Sequence, residues 1–338
     1  MGPVRLCVIG LGRMGLLYTE IIATVVKGAE LAGVLSRSRG KAGSVASKYG
    51  VRAYGCLDEV LRDPGVDGVV VTTPTYTHAE IVARAAEAGK HVFVEKPLDV
   101  DVSKAEEAVR AVRRYGVKLL VGYMRRFDDQ YLKAKELISE GAIGKPVAYV
   151  GISKDPEPPP SGWLRDPNLS GGLVLDLMTH DVDLAHWYLG GEVTEVYAVG
   201  DAYLHEDLGR VGDQDLVTAH LRFGNGASAT LLASRFSGYG YDVRSEIHGT
   251  AGTVFIGSPT PPNHVIVGRE GGLRTYLTSL SAWFKERFLK AYIKEVEHFT
   301  TVIREDKEPL VSGEDALKAL KVGVAIRKSL KEGRPIHV

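Results

Sequence analysis

The chain has 338 residues, of which 44% are hydrophobic and 25% charged, and this composition excludes a disordered or collagen-like protein. Lys plus Arg and Asp plus Glu are equal at 42 each, so no net field draws the chain to nucleic acid or to an anionic membrane. Its two cysteines, Cys7 and Cys56, give neither a disulfide framework nor a zinc-ligand spacing. No segment has the length of a membrane span or the form of a signal peptide, so we expect a two-domain cytoplasmic protein without a metal.

The first third of the chain alternates short β-branched runs with stretches of helical periodicity. The runs are Val4–Ile9, Leu31–Leu35, Gly68–Thr72, His91–Val94 and Lys118–Val121, and the helical stretches include Met14–Val26, Ile81–Ala88 and Ser103–Tyr115. Ser103 and Glu106 have the spacing of a capping box at the start of the last stretch. Strand–helix alternation predicts βαβ units and a parallel sheet over residues 1–122.

Residues 123–338 have a different order of predicted elements, in which strands follow one another through tight turns. Strands are predicted over Pro146–Lys154, Glu195–Ala202, Leu216–Phe223, Ala227–Arg235 and Ser245–His248, and helices over Asp129–Glu140, Gly172–Leu189, Ala282–Arg304 and Glu314–Leu330. Four prolines predict a loop over Asp155–Ser170, and Asn225-Gly226 is typical of a hairpin turn. This part is therefore predicted to be a second, α+β domain with an antiparallel sheet.

A glycine-rich loop, Gly10-Leu-Gly12-Arg13-Met14-Gly15, joins the first predicted strand to the first predicted helix. In a dinucleotide-binding unit the first glycine permits the tight turn, the second leaves room for the pyrophosphate, and the third lets helix and strand pack closely. The helix N-terminus adds free N–H groups and a partial positive charge. We expect this loop to bind a dinucleotide; a tight turn that binds nothing is the alternative.

The residue type at the end of the second predicted strand indicates which dinucleotide is bound. An acidic residue usually stands there to bind the ribose 2′-hydroxyl, whereas this chain has Ser36, followed by Arg37-Ser38-Arg39. Serine and arginine can bind a 2′-phosphate that a carboxylate would repel. The sequence therefore favours NADP and leaves NAD possible; a merely solvated basic loop is the alternative.

Three side chains in two places are candidates for catalysis. Lys96 follows the run His91–Val94, at the sheet edge where ligands bind in doubly wound folds. Asp176 and His180 are four residues apart and share one face of a predicted helix. An imidazole with a carboxylate can move protons near neutral pH, although a surface lysine and a structural helix-face pair are the plainer alternatives.

Gly10–Gly15, Glu95-Lys96-Pro97 and Gly171–His180, in this order, resemble the glucose–fructose oxidoreductase/inositol dehydrogenase/rhizopine catabolism (Gfo/Idh/MocA) family over nearly the whole chain. The resemblance implies a Rossmann domain followed by a domain with a large open, mainly antiparallel sheet, often used for oligomer contacts. A homotetramer or homodimer is expected, and the last helix, at about 313–331, is expected to return to the first domain. Lys96, Asp176 and His180 match the catalytic residues of the family.

Within the family, the stretches 122–128, 176–183 and 238–244 look most like those of inositol 2-dehydrogenases. The resemblance places five further residues around a polyol substrate: Met124, Arg125, Asp155, Tyr239 and Tyr241. It places Thr73, Pro74, Thr75, His78 and Glu95 beside the cofactor. Ser36 departs from the subgroup, which usually has an aspartate there.

The expected activity is NAD(P)-dependent oxidation of a ring secondary alcohol, myo-inositol to 2-keto-inositol. His180 would take the hydroxyl proton, Lys96 would stabilise the developing alkoxide, and Asp176 would hold a neighbouring hydroxyl or orient the imidazole. Another sugar dehydrogenase of the same family and a non-catalytic dinucleotide-binding redox sensor remain as alternatives.

Overall fold

The first half of the chain forms a six-stranded sheet covered by helices. The computed structural model describes residues 2–160, 162–257, 264–269, 272–277 and 283–338, the ranges 264–269 and 272–277 by their backbone alone. The strands are β1 (Val4–Ile9), β2 (Ala29–Leu35), β3 (Arg52–Tyr54), β4 (Gly68–Val71), β5 (His91–Glu95) and β6 (Leu119–Gly122), and the helices are α1 (Arg13–Thr24), α2 (Arg39–Tyr49), α3 (Leu57–Arg62), α4 (His78–Glu87) and α5 (Val102–Tyr115). The strand order is β3-β2-β1-β4-β5-β6, every pair is parallel, and the predicted Rossmann fold is confirmed.

The burial of these strands explains why their sequences are continuously apolar. All four residues of β4 are buried because helices cover both faces of the sheet.

The capping box predicted at Ser103 and Glu106 is wrong. Asp101 caps α5 instead, since its Oδ1 accepts the amides of Ser103 (2.8 Å) and Lys104 (3.4 Å), and the helix begins at Val102. An aspartate two residues earlier thus satisfies the N–H groups that the box would have taken.

The second half is built on a seven-stranded, mainly antiparallel sheet, as predicted. Its strands are β7 (Pro146–Lys154), β8 (Val193–Asp201), β9 (Leu216–Phe223), β10 (Ser228–Ser234), β11 (Asp242–Gly249), β12 (Thr253–Ile256) and β15 (Ile336–His337). Their order is β12-β11-β7-β10-β9-β8-β15, and β7 with β10 forms a parallel pair. A separate hairpin joins β13 (His264–Arg269) and β14 (Gly272–Leu277), and the predicted Asn225-Gly226 turn connects β9 to β10.

Helices cover one side of this sheet and reach back to the first. They are α6 (Asp129–Ser139), α7 (Pro167–Ser170), α8 (Thr179–Leu189), α9 (Glu206–Arg210), α10 (Phe284–Glu305) and α11 (Gly313–Glu332). A π-helical segment, Val174–Met178, precedes α8 where a regular helix is predicted. The predicted start of α10, Ala282, lies outside the described residues. Glu314 and Lys321 of α11 form ion pairs with Arg113 and Glu106 of α5, so the last helix contacts the Rossmann half.

Candidate active site

A cleft of about 790 Å³ lies at the carboxyl ends of the parallel strands. Its wall includes the residues that follow β1, β2, β4 and β5, which is the edge where doubly wound sheets bind ligands. The opposite wall comes from the second half of the chain and includes Asp155, Asp176, His180 and Tyr241. Residues from both halves therefore face one space.

The glycine loop has the geometry of a phosphate cradle. Gly10 has φ +96°, and a Cβ there would lie 2.8 Å from the Thr72 carbonyl group. A Cβ on Gly15 would lie 1.8 Å from the carbonyl oxygen of Gly10, so this position is closed to any side chain. A Cβ on Gly12 would meet nothing within 4 Å, although Gly12 lines the cleft at the start of α1. Packing thus requires two of the glycines, while the third leaves open the space that a pyrophosphate needs.

The end of the cleft next to β2 is basic. Ser36, Arg37, Arg39 and Lys41 line it, and Ser36 stands where an acidic residue would bind the ribose. The carboxylates among the described lining residues, Glu95, Asp155 and Asp176, do not belong to this segment. An anionic group is therefore favoured at this end.

Lys96 and Asp176 meet in the cleft although they are 80 residues apart in the sequence. Lys96 Nζ lies 3.2 Å from Asp176 Oδ1 and also donates to the Asp176 carbonyl oxygen. Asp176 Oδ2 accepts from Arg235, which is fully buried and also binds Asp213 at 2.8 Å. Burial alone would raise the pKa of Asp176, but Lys96 and Arg235 outweigh it and lower the pKa to about 2. Asp176 is thus a carboxylate at any working pH, with both oxygens directed to cations.

His180 lies in the same cleft as a buried, neutral imidazole. Its ring is 5% exposed and packs edge-on against Tyr123, with 5.8 Å between the ring centroids. Burial, Lys96 and Arg125 together hold its pKa well below the ordinary value of 6.5. Nδ1 is buried and has no hydrogen-bond partner among the residues described. The imidazole is therefore free to accept a proton from a bound molecule at neutral pH.

Two more carboxyl groups and a histidine complete the polar wall. Burial and the neighbouring Asp176 raise the pKa of Asp155 to about 6, and burial raises the pKa of Glu95. The ring nitrogens of His78 lie 2.9 Å from the Pro97 carbonyl oxygen and 2.8 Å from that of Thr73. The His78 ring thus links the loop after β4 to the loop after β5.

The structure brings most of the predicted site residues into the cleft. Those that line it are Gly10, Gly12, Arg13, Met14, Ser36, Arg37, Thr73, Pro74, Thr75, His78, Glu95, Lys96, Met124, Asp155, Asp176, His180 and Tyr241. Gly15 lies behind the loop, against Gly10.

Two predicted substrate residues, Arg125 and Tyr239, lie elsewhere. The guanidinium of Arg125 is buried against Asp181 (3.1 Å) and Ser153 (2.9 Å), where it links the segment after β6 to α8 and β7. Tyr239 is half exposed, and its hydroxyl donates to Asp242 at 2.7 Å. Neither residue lines the cleft, so their placement does not support the predicted contact with a polyol.

Sequence reasoning missed the groups that hold the site from outside the motifs. Arg235 fixes Asp176 from the end of β10, and Trp283 and Phe284 line the cleft from the start of α10. The Arg13 guanidinium lies 4.6 Å from the Phe284 ring centroid, in cation–π contact. Arg235 and the pair Trp283-Phe284 lie outside every motif of the sequence, so no local pattern would have marked them.

Comparison with known proteins agrees with this geometry. Residues 4–123 match the model of an oxidoreductase family with an NAD-binding Rossmann fold, and residues 131–255 match the GFO/IDH/MocA C-terminal domain. The chain belongs to the Gfo/Idh/MocA family. The predicted resemblance is therefore confirmed, and with it the prediction of an oxidoreductase.

The relatives include named inositol dehydrogenases along their full length. A scyllo-inositol 2-dehydrogenase (NAD(+)) of Bacillus subtilis is 38% identical, covering 99% of this chain and 96% of the relative. A myo-inositol 2-dehydrogenase of Thermotoga maritima is 37% identical, covering 99% of this chain and 98% of the relative. The crystal structure of a scyllo-inositol dehydrogenase from Lactobacillus casei, with bound NAD(H) and scyllo-inositol, has a TM-score of 0.90 at 29% identity, covering 99% of each chain.

The described residues contain neither a candidate metal centre nor a membrane-spanning helix. Among them, no group of three or more histidine, cysteine, aspartate or glutamate side chains could hold a metal ion. In the same part of the chain, no helix has the length and apolar character needed to cross a membrane.

Proposed function

We propose that the protein is an NAD(P)-dependent inositol dehydrogenase that oxidises one ring secondary alcohol to a ketone. The observation that carries the proposal is that Lys96, Asp176 and His180 face one cleft whose other end is the glycine cradle. The chemistry needs a proton acceptor, an alkoxide-stabilising cation and a bound dinucleotide in one space. The names of the full-length relatives support inositol as the substrate class.

The residues divide the reaction between them. His180, neutral because it is buried, takes the hydroxyl proton. Lys96 donates to the same oxygen and stabilises the negative charge that develops as the proton leaves. Asp176 holds the Lys96 ammonium, and its carboxylate binds Lys96 and Arg235 rather than orienting the imidazole. A dinucleotide held by the loop 10–15 would supply the acceptor for the hydride that leaves the carbinol carbon.

The remaining contacts follow from which predicted residues line the cleft. We assign the polyol to Met124, Asp155 and Tyr241, beside Asp176 and His180. We assign the dinucleotide to the loop 10–15 and to the residues around it: Ser36, Arg37, Thr73, Pro74, Thr75, His78, Glu95 and Lys96. The division into residues 1–122 and 123–338, a homotetramer or homodimer, and a cytoplasmic location stay predictions.

We further propose that NADP is preferred over NAD. Ser36 offers a hydroxyl in place of a carboxylate, and Arg37, Arg39 and Lys41 line the same end of the cleft. A 2′-phosphate would gain charge-assisted hydrogen bonds from these cations. Replacing Ser36 with Asp should shift the ratio of kcat/KM towards NAD by about tenfold or more, because a hydrogen bond to a charged group contributes about 1.5–3 kcal/mol. An unchanged ratio would mean that Ser36 does not contact the ribose.

The decisive experiment follows the absorbance of the reduced nicotinamide with NAD or NADP and a panel of ring alcohols. The panel contains myo-inositol, scyllo-inositol, glucose and a sugar acid, each at the same cofactor concentration. Turnover of an inositol at the highest kcat/KM supports the proposal. Preference for an aldose or sugar acid would make the protein a different sugar dehydrogenase. Dinucleotide binding with no turnover of any alcohol would indicate a redox sensor.

A further inference from the structure

Behind the wall of the cleft, three buried side chains from three elements form a line. They are Glu95 at the end of β5, Tyr18 on α1 and Glu295 on α10. The Tyr18 hydroxyl oxygen lies 2.9 Å from Glu95 Oε1 and 3.0 Å from Glu295 Oε2. Tyr18 and Glu295 are fully buried, and Glu95 is 8% exposed where it lines the cleft. Two carboxyl groups thus share one phenol out of contact with water.

Counting protons shows that one of these carboxyl groups is an acid. The Tyr18 hydroxyl carries one proton and can donate it to one oxygen only. Its second short contact therefore needs a proton from the other carboxyl group, because two unprotonated oxygens at 3.0 Å would repel each other. Tyr18 itself stays a phenol, since burial above all, and then the charge of Glu95, raise its pKa well above 10. The three groups therefore hold two protons between them.

The surroundings indicate which carboxyl group carries the proton. Glu95 Oε2 accepts the Lys96 amide at 3.2 Å, and the charges of Lys96 and Arg13 favour an ionised Glu95. No cation faces Glu295 among the described residues; burial and the negative Glu95 raise its pKa well above the ordinary value. Glu295 Oε1 is buried and has no hydrogen-bond partner in the described part of the chain. Leaving such an oxygen without a partner costs far less free energy in a neutral acid than in a carboxylate.

Aromatic rings keep this line of groups dry. Tyr18 packs edge-on against Phe93 of β5 and Tyr292 of α10, with ring centroids 5.0 Å and 5.9 Å away. The titratable groups that face the line are Arg13 from α1, Lys96 from the end of β5 and Tyr292 from α10. Burial, followed by the charge of Glu95, holds the pKa of Tyr292 well above 10, so its phenol adds no charge.

We propose that Glu295 is a permanently protonated carboxylic acid that, through Tyr18, keeps Glu95 ionised and fixed behind Lys96. In this line Glu295 donates to Tyr18, Tyr18 donates to Glu95, and Glu95 accepts the backbone amide of Lys96. Glu295 and Tyr18 are then positioning residues for the lysine. The protonation state stands on the contacts alone, whereas the effect on turnover rests on the proposed function.

The protonation state can be measured without any substrate. Infrared spectra of the whole protein, unlabelled and labelled with ¹³C-glutamate, are compared with those of Glu295→Gln, Glu95→Gln and the control Glu297→Gln, which changes an exposed residue of the same helix. We expect a buried carboxylic acid C=O band near neutral pH that shifts on labelling, disappears in Glu295→Gln and persists in the other two. A missing band in the unchanged protein, or a band lost in Glu95→Gln instead, would overturn the proposal.

Kinetics then test the positioning role. Glu295→Gln should keep kcat and KM close to the parent values, because an amide N–H can donate to Tyr18 as the acid does. Tyr18→Phe should lower kcat by about three- to tenfold, the effect of one lost hydrogen bond, while dinucleotide affinity stays near the parent value. Equal losses in both variants would refute an uncharged Glu295. Unchanged kcat in Tyr18→Phe would refute the positioning role. If no alcohol is oxidised, the infrared result still decides the protonation state.

Discussion

Replacement of Lys96 by Met tests the assignment on which the proposed chemistry most depends. The Lys96 side chain is 14% exposed, its ammonium lies 3.2 Å from Asp176 Oδ1, and it lines the cleft with His180. Methionine has a similar length and flexibility, so it fills the space of the lysine stem without its charge. The substitution therefore removes the ammonium and leaves most of the packing.

The structure allows the size of the effect to be worked out. With Lys96 gone, the pKa of Asp176 rises, because burial raises it and one of the two cations that lower it is lost, but Arg235 still binds Oδ2. Asp176 thus stays ionised at neutral pH, and the ground state changes little. The loss falls on the developing alkoxide, where removing one preorganised donor costs about 10²–10³ in kcat, or about 2.7–4 kcal/mol. Dinucleotide affinity should fall far less than kcat, because Lys96 is one of many residues assigned to the dinucleotide.

The assay measures initial rates of cofactor reduction, together with dinucleotide binding by fluorescence. Lys90→Met is the matched control, because Lys90 precedes β5 at the end of the strand away from the cleft and donates to the carbonyl oxygens of Asp63 and Val66. This variant should lose thermal stability and keep its kcat. Full turnover in Lys96→Met would refute the alkoxide role, and a loss confined to dinucleotide binding would leave Lys96 as a dinucleotide ligand alone.

Three other predictions concern the remaining parts of the site. His180→Gln should lower kcat by about 10²–10⁴ with dinucleotide binding retained, as measured by initial rates and fluorescence titration; parent turnover would exclude His180 as the base. Gly15→Ala should abolish dinucleotide binding, because the new Cβ would lie 1.8 Å from the carbonyl oxygen of Gly10. Gly43→Ala, whose Cβ faces open space, should leave binding intact. Binding by both variants would contradict the assignment of the glycine loop to the dinucleotide. Because its folded pKa is lowered, Asp176 contributes about 2 kcal/mol of stability that is present above pH 4 and lost as the pH falls from about 3.8 to about 2. The urea-unfolding difference between the parent and Asp176→Asn should therefore shrink across that range, and a constant difference would refute the lowered pKa.

The parallel sheet and the dinucleotide loop could be predicted because their signals are local. Gly10–Gly15 lies directly between a β-branched run and a helix. Gly10 is required by the backbone that follows the neighbouring strand β4 and Gly15 by the carbonyl oxygen of Gly10, whereas Gly12 faces open space. β4 is apolar throughout because both of its faces are covered, and this also shows in four consecutive residues. The short β3 was missed because three residues, two of them exposed, carry no such pattern.

The groups that tune the site could not be predicted in the same way. Arg235 contacts Asp176, and Asp213 accepts the amide of Leu173 at the start of the helical segment, although both lie far along the chain. Glu295 lies 200 residues after Glu95. Their positions depend on how the two sheets are joined, which no local periodicity encodes. Arg125 stands inside a stretch that resembles the family, whereas its guanidinium is buried against Asp181, so its contact with a polyol stays a prediction.

The backbone around the two candidate catalytic residues of the second half departs from a regular helix. The spacing of Asp176 and His180 was interpreted as a regular helix, in which the carbonyl of residue 176 accepts the amide of residue 180. The structure has a π-helical segment at Val174–Met178, where the hydrogen-bond partner moves five residues on. In that segment the Asp176 carbonyl oxygen also accepts from Lys96 Nζ, so one residue offers the lysine both a backbone and a side-chain acceptor. Because the backbone acceptor survives any change of side chain, Asp176→Asn should still offer Lys96 an acceptor. The substitution removes the negative charge and turns an N–H₂ group towards one of the two cations, Lys96 or Arg235.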